Sequence, residues 1–304
     1  MKIAITGSNG FIGKHLKEML INMNYQIVTI SNKKNFENKI ENYTFDEFFL
    51  GNLRISFDCI LHLASPNYDY CKDGSLKKGI TELTQKLVSS LHIYNCKKLI
   101  YFSSAKVYGE PSFNNNIYYE NSKLMPKTDY GKEKAITEEI IRTYSQKSGL
   151  NYVIYRMPMV YGPNMESNIG RLIKMIESSI PIPYFSETSR YKKSFLSIEN
   201  IKKCIAFNIK NPDSINNDVY NLTDNNYYSL NEFTHKYKKI SGSRSFFFQF
   251  PKTIFLILSK IPVVKNFLIK LYGSFALNND KINSLMNIRF HNLEEGLFFI
   301  INKK

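Results

Sequence analysis

Short, nearly unbroken apolar runs alternate in the first half of the chain with stretches whose apolar positions recur every three to four residues. Residues 2–5, 26–30, 58–65, 98–104 and 152–156 are of the first kind. Runs of that length without polar alternation predict strands buried on both faces of a parallel sheet. Residues 11–21, 75–95 (through Ile80, Leu83, Leu87, Val88, Leu91 and Tyr94) and 130–149 are of the second kind and predict helices. The alternation predicts an α/β fold built on a doubly wound parallel sheet of Rossmann type. Residues 43–50 fit a short helix or a third strand equally well, with Gly51-Asn52 as the stop. Beyond Pro158 the alternation fades into an expected turn at 160–164, a helix at 169–178 and an extended connector at 180–183. The stretch 246–271 is strongly apolar and aromatic but is interrupted by Lys252, Lys260, Pro262, Lys265 and Lys270. It reads first as a lid or core helix, with a surface amphipathic pair touching a membrane as the alternative.

Composition narrows the class. The chain has 304 residues, enough for a large α/β core and a smaller lobe, and no apolar run approaches the roughly 20 residues of a bilayer span. The N-terminus runs straight into the first strand with no signal-like segment, so a cytoplasmic protein without stable membrane insertion is expected. Cys59, Cys71, Cys96 and Cys204 have no Cys-x-x-Cys spacing and His15, His62, His92, His235 and His291 are scattered, which argues for reduced thiols and against a metal. The formal net charge is +15. It is spread over a chain rich in Lys, Asn and Ile with no compact basic block, so a nucleic-acid partner is not expected.

Candidate chemistry begins at the first strand-to-helix turn, Thr6-Gly7-Ser8-Asn9-Gly10-Phe11-Ile12-Gly13. Gly7 suits a tight turn, Gly10 a close approach by a pyrophosphate and Gly13 contact between helix and strand, while Asn9, Phe11 and Ile12 complete the cradle at a helix N-terminus that favours an anion. At the end of the second strand stand Ser31-Asn32-Lys33-Lys34, where NAD-preferring sites carry an acid. Two cations and no carboxylate favour a 2′-phosphate, hence NADPH over NAD. Ala64 and Ser65, small at the end of a buried strand, let a cofactor lie close, with Leu63 beside it. Tyr130 and Lys134 are one helical turn apart on one face, and a neighbouring ammonium is expected to lower the tyrosine pKa for proton transfer. Ser104 ends a strand where open α/β sheets build their sites and offers a hydroxyl to a carbonyl or alcohol.

The glycine turn, His62-Leu63-Ala64, Ser103-Ser104-Ala105-Lys106-Val107-Tyr108-Gly109 and Tyr130-Gly131-Lys132-Glu133-Lys134 together resemble the extended short-chain dehydrogenase/reductase family of nucleotide-sugar epimerases, dehydratases and reductases. The likeness continues through residues 156–163, 192–201, 279–282 and 293–297. It implies an NAD(P)-binding domain over 1–160 and a mostly substrate-binding lobe over 161–304 with strands returning to the main sheet. It also implies hydride transfer at a carbon, usually C4, of a nucleoside-diphosphate sugar, and a homodimer formed through helices near 76–95 and 130–148. Tyr130 is then the acid/base, Lys134 its pKa-lowering partner and a ribose contact, and Ser104 the residue bonded to the reacting oxygen. Substrate contacts are expected from Ser104, Ala105, Lys106, Arg171 and Lys193, the last standing where epimerases carry an arginine and lacking its bidentate fork. Ala105-Lys106 replaces the Asp-Glu pair of the 4,6-dehydratases, which disfavours dehydration. With no acid after the second strand, the resemblance ranks NADPH-dependent reduction of a dTDP- or UDP-linked 4-keto-6-deoxyhexose first, for surface polysaccharide or O-antigen sugars. A UDP-hexose 4-epimerase with bound NAD ranks second, and a non-catalytic NADP sensor third.

Overall fold

A computed structural model describes residues 1–34, 40–65 and 79–302. Cys71 and the expected helix start at Ser75 lie outside the described residues. Along the chain run β1 (Lys2–Thr6), α1 (Phe11–Asn22), β2 (Gln26–Ser31), β3 (Glu41–Thr44), α2 (Phe45–Phe49), β4 (Cys59–His62), α3 (Gly79–Ser90) and β5 (Lys98–Ser104). They are followed by β6 (Ile117–Tyr118), α4 (Asp129–Ser148), β7 (Asn151–Met157), β8 (Met159–Tyr161), α5 (Asn168–Glu177), β9 (Ile182–Tyr184), β10 (Lys193–Ser197), α6 (Ile198–Lys210) and β11 (Asp218–Asn221). The last elements are β12 (Tyr227–Tyr228), α7 (Leu230–Ser241), β13 (Phe247–Gln249), α8 (Lys252–Leu258), α9 (Pro262–Tyr272), β14 (Ala276–Leu277), α10 (Asp280–Met286) and α11 (Leu293–Asn302).

Two compact units divide these elements. The first comprises Met1–Gly109, Lys123–Met157 and Cys204–Tyr220, and the second Glu110–Ser122, Pro158–Lys203 and Asn221–Lys304. The main sheet has the order β11-β7-β5-β4-β1-β2-β3, with parallel pairing from β3 across to β7. Strand order reverses between β1 and β4, so the carboxyl ends of these two strands flank the crevice that such sheets offer to ligands. Ile3, Ala4, Ile5, Ile60, Leu61, Leu99 and Ile100 are completely buried, as strands covered on both faces require. Phe48 stacks on Tyr94 at 4.4 Å and Tyr94 meets Phe57 edge-on at 5.7 Å, closing the core beneath α2.

Two local readings change. The ambiguous stretch 43–50 is both strand and helix: β3 ends at Thr44, whose side chain and Glu47 form a capping box that starts α2. The expected turn at 160–164 begins as a strand, because β8 pairs in parallel with β10, Leu196 opposite Val160. In the second unit β12, β10 and β8 form one small sheet, while β13 with β9 and β14 with β6 form two-stranded pairs.

Helix α4 is tied to the sheet by ions. Arg156 of β7 and Glu138 of α4 are both almost fully buried, and the guanidinium donates to the carboxylate from Nε at 3.1 Å and Nη2 at 2.6 Å. Ser103 donates to the same carboxylate at 2.5 Å, and Arg156 Nη1 donates to the Tyr108 hydroxyl at 2.9 Å. Removing one partner strands a buried charge. Arg156→Met is therefore expected to cost about 3–5 kcal/mol in denaturant unfolding, and Glu138→Leu added to it to restore a large part of that loss. Equal instability of the single and double variants would refute the pairing as the cause.

Candidate active site

At the first turn the backbone leaves β1 at Thr6 and takes Gly7 into the left-handed region, φ +70°, where a side chain is strained. A Cβ on Gly7 would lie 2.8 Å from the Ala64 nitrogen and 2.9 Å from the Leu63 carbonyl carbon, and one on Gly13 would overlap the Gly7 carbonyl. The turn therefore packs backbone against backbone on the end of β4 and the start of α1. On Gly10 the same Cβ would meet only the Gly7 oxygen, at 3.3 Å, so that side stays open. No side chain caps α1 and no acid stands in its first turn, which leaves its N-terminal N–H groups to an anion. Ser65 adds a buried hydroxyl with no hydrogen-bond partner among the described residues. An open glycine face, an uncapped helix start and an orphaned hydroxyl fit the pyrophosphate and ribose of a dinucleotide.

Beneath this cradle runs a buried polar chain that sequence reasoning noticed only as part of a motif. Thr84 donates to the Ile80 carbonyl at 2.9 Å, so its oxygen accepts from Nε2 of His62 at 2.9 Å. Nδ1 of His62 is then the acceptor for the Thr6 hydroxyl at 2.7 Å, and the Thr6 oxygen accepts from the Ala64 N–H at 3.1 Å. Burial, with the nearby Lys134 charge, pushes the His62 pKa down to about 3, which keeps the ring neutral as this pattern demands. A histidine inside an otherwise apolar strand was the available signal.

The proton-transfer group assembles at the carboxyl end of β5. Ser104 closes the strand and its oxygen accepts the Lys106 N–H at 3.2 Å, starting a tight turn over Ala105–Val107. The Thr128 side chain starts α4 by accepting the Gly131 N–H at 3.2 Å. A Cβ at Gly131 would stand 2.6 Å from the Lys106 carbonyl oxygen, so only glycine lets the first turn of α4 press against the turn that carries Ser104. In that contact the Ser104 hydroxyl lies near enough to the Tyr130 phenol to pull its pKa down. Lys134, 2% exposed, donates to the Phe102 carbonyl at 2.9 Å and lies 4.7 Å from the Tyr101 ring centroid and 5.7 Å from that of Tyr130.

The electrostatics reverse one expectation. Burial pushes the Tyr130 phenol up, opposed by the Ser104 hydroxyl, and burial brings Lys134 down to about 7 against the pull of Glu138. An ammonium that is itself half discharged near neutrality gives the phenolate little support. The structure thus brings Ser104, Tyr130 and Lys134 together without the lowered tyrosine that their spacing suggested.

Other expected residues have settings of their own. At the end of β2, Ser31 donates to the Lys33 carbonyl at 2.7 Å and Lys34 pairs with Glu47 at 2.8 Å, so one of the two cations taken to favour a 2′-phosphate is already neutralised. Asn32 and Lys33 are exposed, as is Asn9, and Phe11 and Ile12 are half-buried. Ala105 is buried. In the second unit, Arg171 lies exposed on α5, whereas Lys193 is buried and donates to the Leu271 carbonyl at 2.8 Å.

Between pH 7 and the ordinary lysine value of 10.5 the folded protein binds less than one proton at Lys134 while the unfolded chain binds nearly one. Lys134 therefore makes folding stability rise with pH across that window, a rise that is absent below it. In thermal unfolding across the window, Lys134→Met is expected to lose ground to the parent as pH rises. Parallel curves for the two proteins would contradict the buried, depressed lysine.

A family model, "NAD dependent epimerase/dehydratase family", matches residues 3–223, more than half of the chain. The chain is 26% identical over 246 residues to a UDP-glucose 4-epimerase of Vibrio cholerae, covering 77% of this chain and 74% of that protein. It is 28% identical over 269 residues to a putative UDP-glucose 4-epimerase of Methanocaldococcus jannaschii, covering 80% and 83%. Its fold matches that of a Bacillus cereus UDP-glucuronic acid 4-epimerase solved with NAD, at a TM-score of 0.78 and 22% identity over 99% of this chain and 96% of that one. The glycine cradle on β1 and α1, the Rossmann-type sheet and the matched residues agree: the chain belongs to the NAD dependent epimerase/dehydratase family.

Proposed function

We propose that the protein is a 4-epimerase of a UDP-linked hexose that works with retained NAD. The observation that carries this reading is the close contact of Gly131 with the Lys106 backbone, which seats Tyr130 beside Ser104 at the carboxyl end of β5, with Lys134 buried one turn along α4. The relatives' names supply the sugar nucleotide and the carbon. Gly7, Gly10, Gly13 and the N-terminus of α1 would hold the pyrophosphate, and Leu63, Ala64 and Ser65 the floor beside it. The chemistry a bound NAD would supply is reversible hydride acceptance at C4.

The remaining work falls to this chain's own side chains. Tyr130 as phenolate removes the C4 hydroxyl proton while that carbon becomes a ketone, and returns it when the alcohol re-forms. Ser104 donates to the same oxygen and holds it against the phenol. Lys134 supplies positive charge beside Tyr130, and any group that adds charge or hydrogen bonds to its ammonium raises its pKa from about 7 toward the charged form. Homodimerisation through α3 and α4 belongs to the same reading; Ile136, 49% exposed on α4, is an apolar side chain it would cover.

The earlier first choice, 4-ketoreduction with NADPH, keeps one supporting observation: Ser31, Asn32, Lys33 and Lys34 provide no carboxylate for a ribose diol. The relatives described above are named 4-epimerases, and the Lys34–Glu47 pair weakens the electrostatic basis of NADPH preference. Purified protein should interconvert C4 epimers in a panel of UDP-glucose, UDP-N-acetylglucosamine and UDP-glucuronic acid, read by proton NMR, without consuming added NADPH. Tyr130→Phe should lower that rate by about 10²–10⁴-fold with nucleotide binding preserved. NADPH consumption with a 4-keto sugar and no epimerisation would select the reductase, and full activity of the variant would remove Tyr130 from the chemistry.

A further inference from the structure

The helical pair α8–α9 in the second unit has two faces of opposite character. Its inner face is anchored by Phe255, packed on Phe185 at 5.3 Å and Phe113 at 6.0 Å, and by Tyr272, edge-on to Phe185 at 6.1 Å. Its outer side leaves Leu256, Ile257, Ile261, Val263 and Phe267 exposed, Val263 by 80% and Phe267 by 62%. Five large apolar side chains within twelve residues form a cluster, not the isolated exposures that ordinary surfaces carry. Val263 and Phe267 are one turn apart on α9, and Ile261 with Pro262 tips the connection. This exposure does not fit a core helix.

Charge decides what would cover such a face. From residue 233 to residue 279 the chain carries eight Lys and Arg and no Asp or Glu. Lys252, Lys260, Lys265 and Lys270 are exposed around the apolar cluster and form no ion pair among the described residues. A two-fold contact with a second copy would set this lysine rim against its own image. A zwitterionic or neutral partner would gain nothing from it. An anionic bilayer matches both features, because apolar side chains enter the acyl boundary while the lysines meet headgroup phosphates. No helix among the described residues is long and apolar enough to cross a membrane, so the contact would be interfacial.

We propose that α8 and α9 dock the protein reversibly on an anionic lipid bilayer, with Leu256, Ile257, Ile261, Val263 and Phe267 inserted and the four lysines on the headgroups. The test is flotation of the full chain with vesicles of phosphatidylcholine alone or mixed with phosphatidylglycerol. Binding is expected only to the mixed vesicles and should weaken as salt is raised. Val263→Asp/Phe267→Asp should lower it by about tenfold or more, and Lys260→Gln/Lys265→Gln by roughly 10- to 30-fold with a shallower salt dependence. All four positions are exposed, and unchanged thermal unfolding certifies the fold. Sedimentation of parent and variants without lipid reads the competing occupant. No binding to mixed vesicles, binding indifferent to lipid charge, or a dimer that only Val263→Asp/Phe267→Asp dissolves would overturn the proposal.

Discussion

Burying a lysine beside a tyrosine is the constraint on which the first unit turns. An ammonium loses its water when it is driven to 2% exposure, and the penalty appears as a pKa brought down to about 7. What keeps the side chain there is local and specific: the Phe102 carbonyl, the face of Tyr101 and the carboxylate of Glu138 one turn further along α4. Glu138 in turn is held inside the protein by Arg156 and Ser103, which occupy its oxygens. The helix reaches all of these partners only because Gly131 lets it touch the backbone at Lys106. A buried network of this kind rigidifies what it satisfies and penalises any member left alone.

The cofactor cradle follows the same logic with neutral groups. Glycines bring three backbone segments into contact at Gly7, Gly13 and Ala64. The Thr6–His62–Thr84 chain then fixes the ends of β1 and β4 to α3. Both devices stand at the carboxyl edge of one parallel sheet, the cradle where the strand order reverses between β1 and β4 and the Ser104–Tyr130–Lys134 group at the end of β5. The Lys34–Glu47 pair at the neighbouring strand end shows how a cation that looks available in the chain is already engaged.

Much of this was readable before any coordinates. Residues 98–104 have a continuous apolar centre, Leu99 to Phe102, and form β5 with the same bounds, because a strand buried on both faces shows no polar alternation along that centre. Gly7 to Gly13, Ser104, Tyr130 and Lys134 were legible because their meaning lies in short spacings at element ends. The Thr6–His62 and Arg156–Glu138 contacts span 56 and 18 residues, and no local pattern announces them. Three-residue β8 was missed because its only evidence is its pairing with β10. The tyrosine pKa was misjudged because spacing reports a neighbouring charge but not the desolvation that removes much of it.

The most direct measurement of the central claim uses a UDP-hexose carrying deuterium at C4. If Ser104, Tyr130 and Lys134 move only the hydroxyl proton while the carbon-bound hydrogen is held by a retained nicotinamide, both C4 epimers will appear with deuterium still at C4. Loss of the label to solvent, or no second epimer while NADPH is consumed with a 4-keto sugar, would contradict the account.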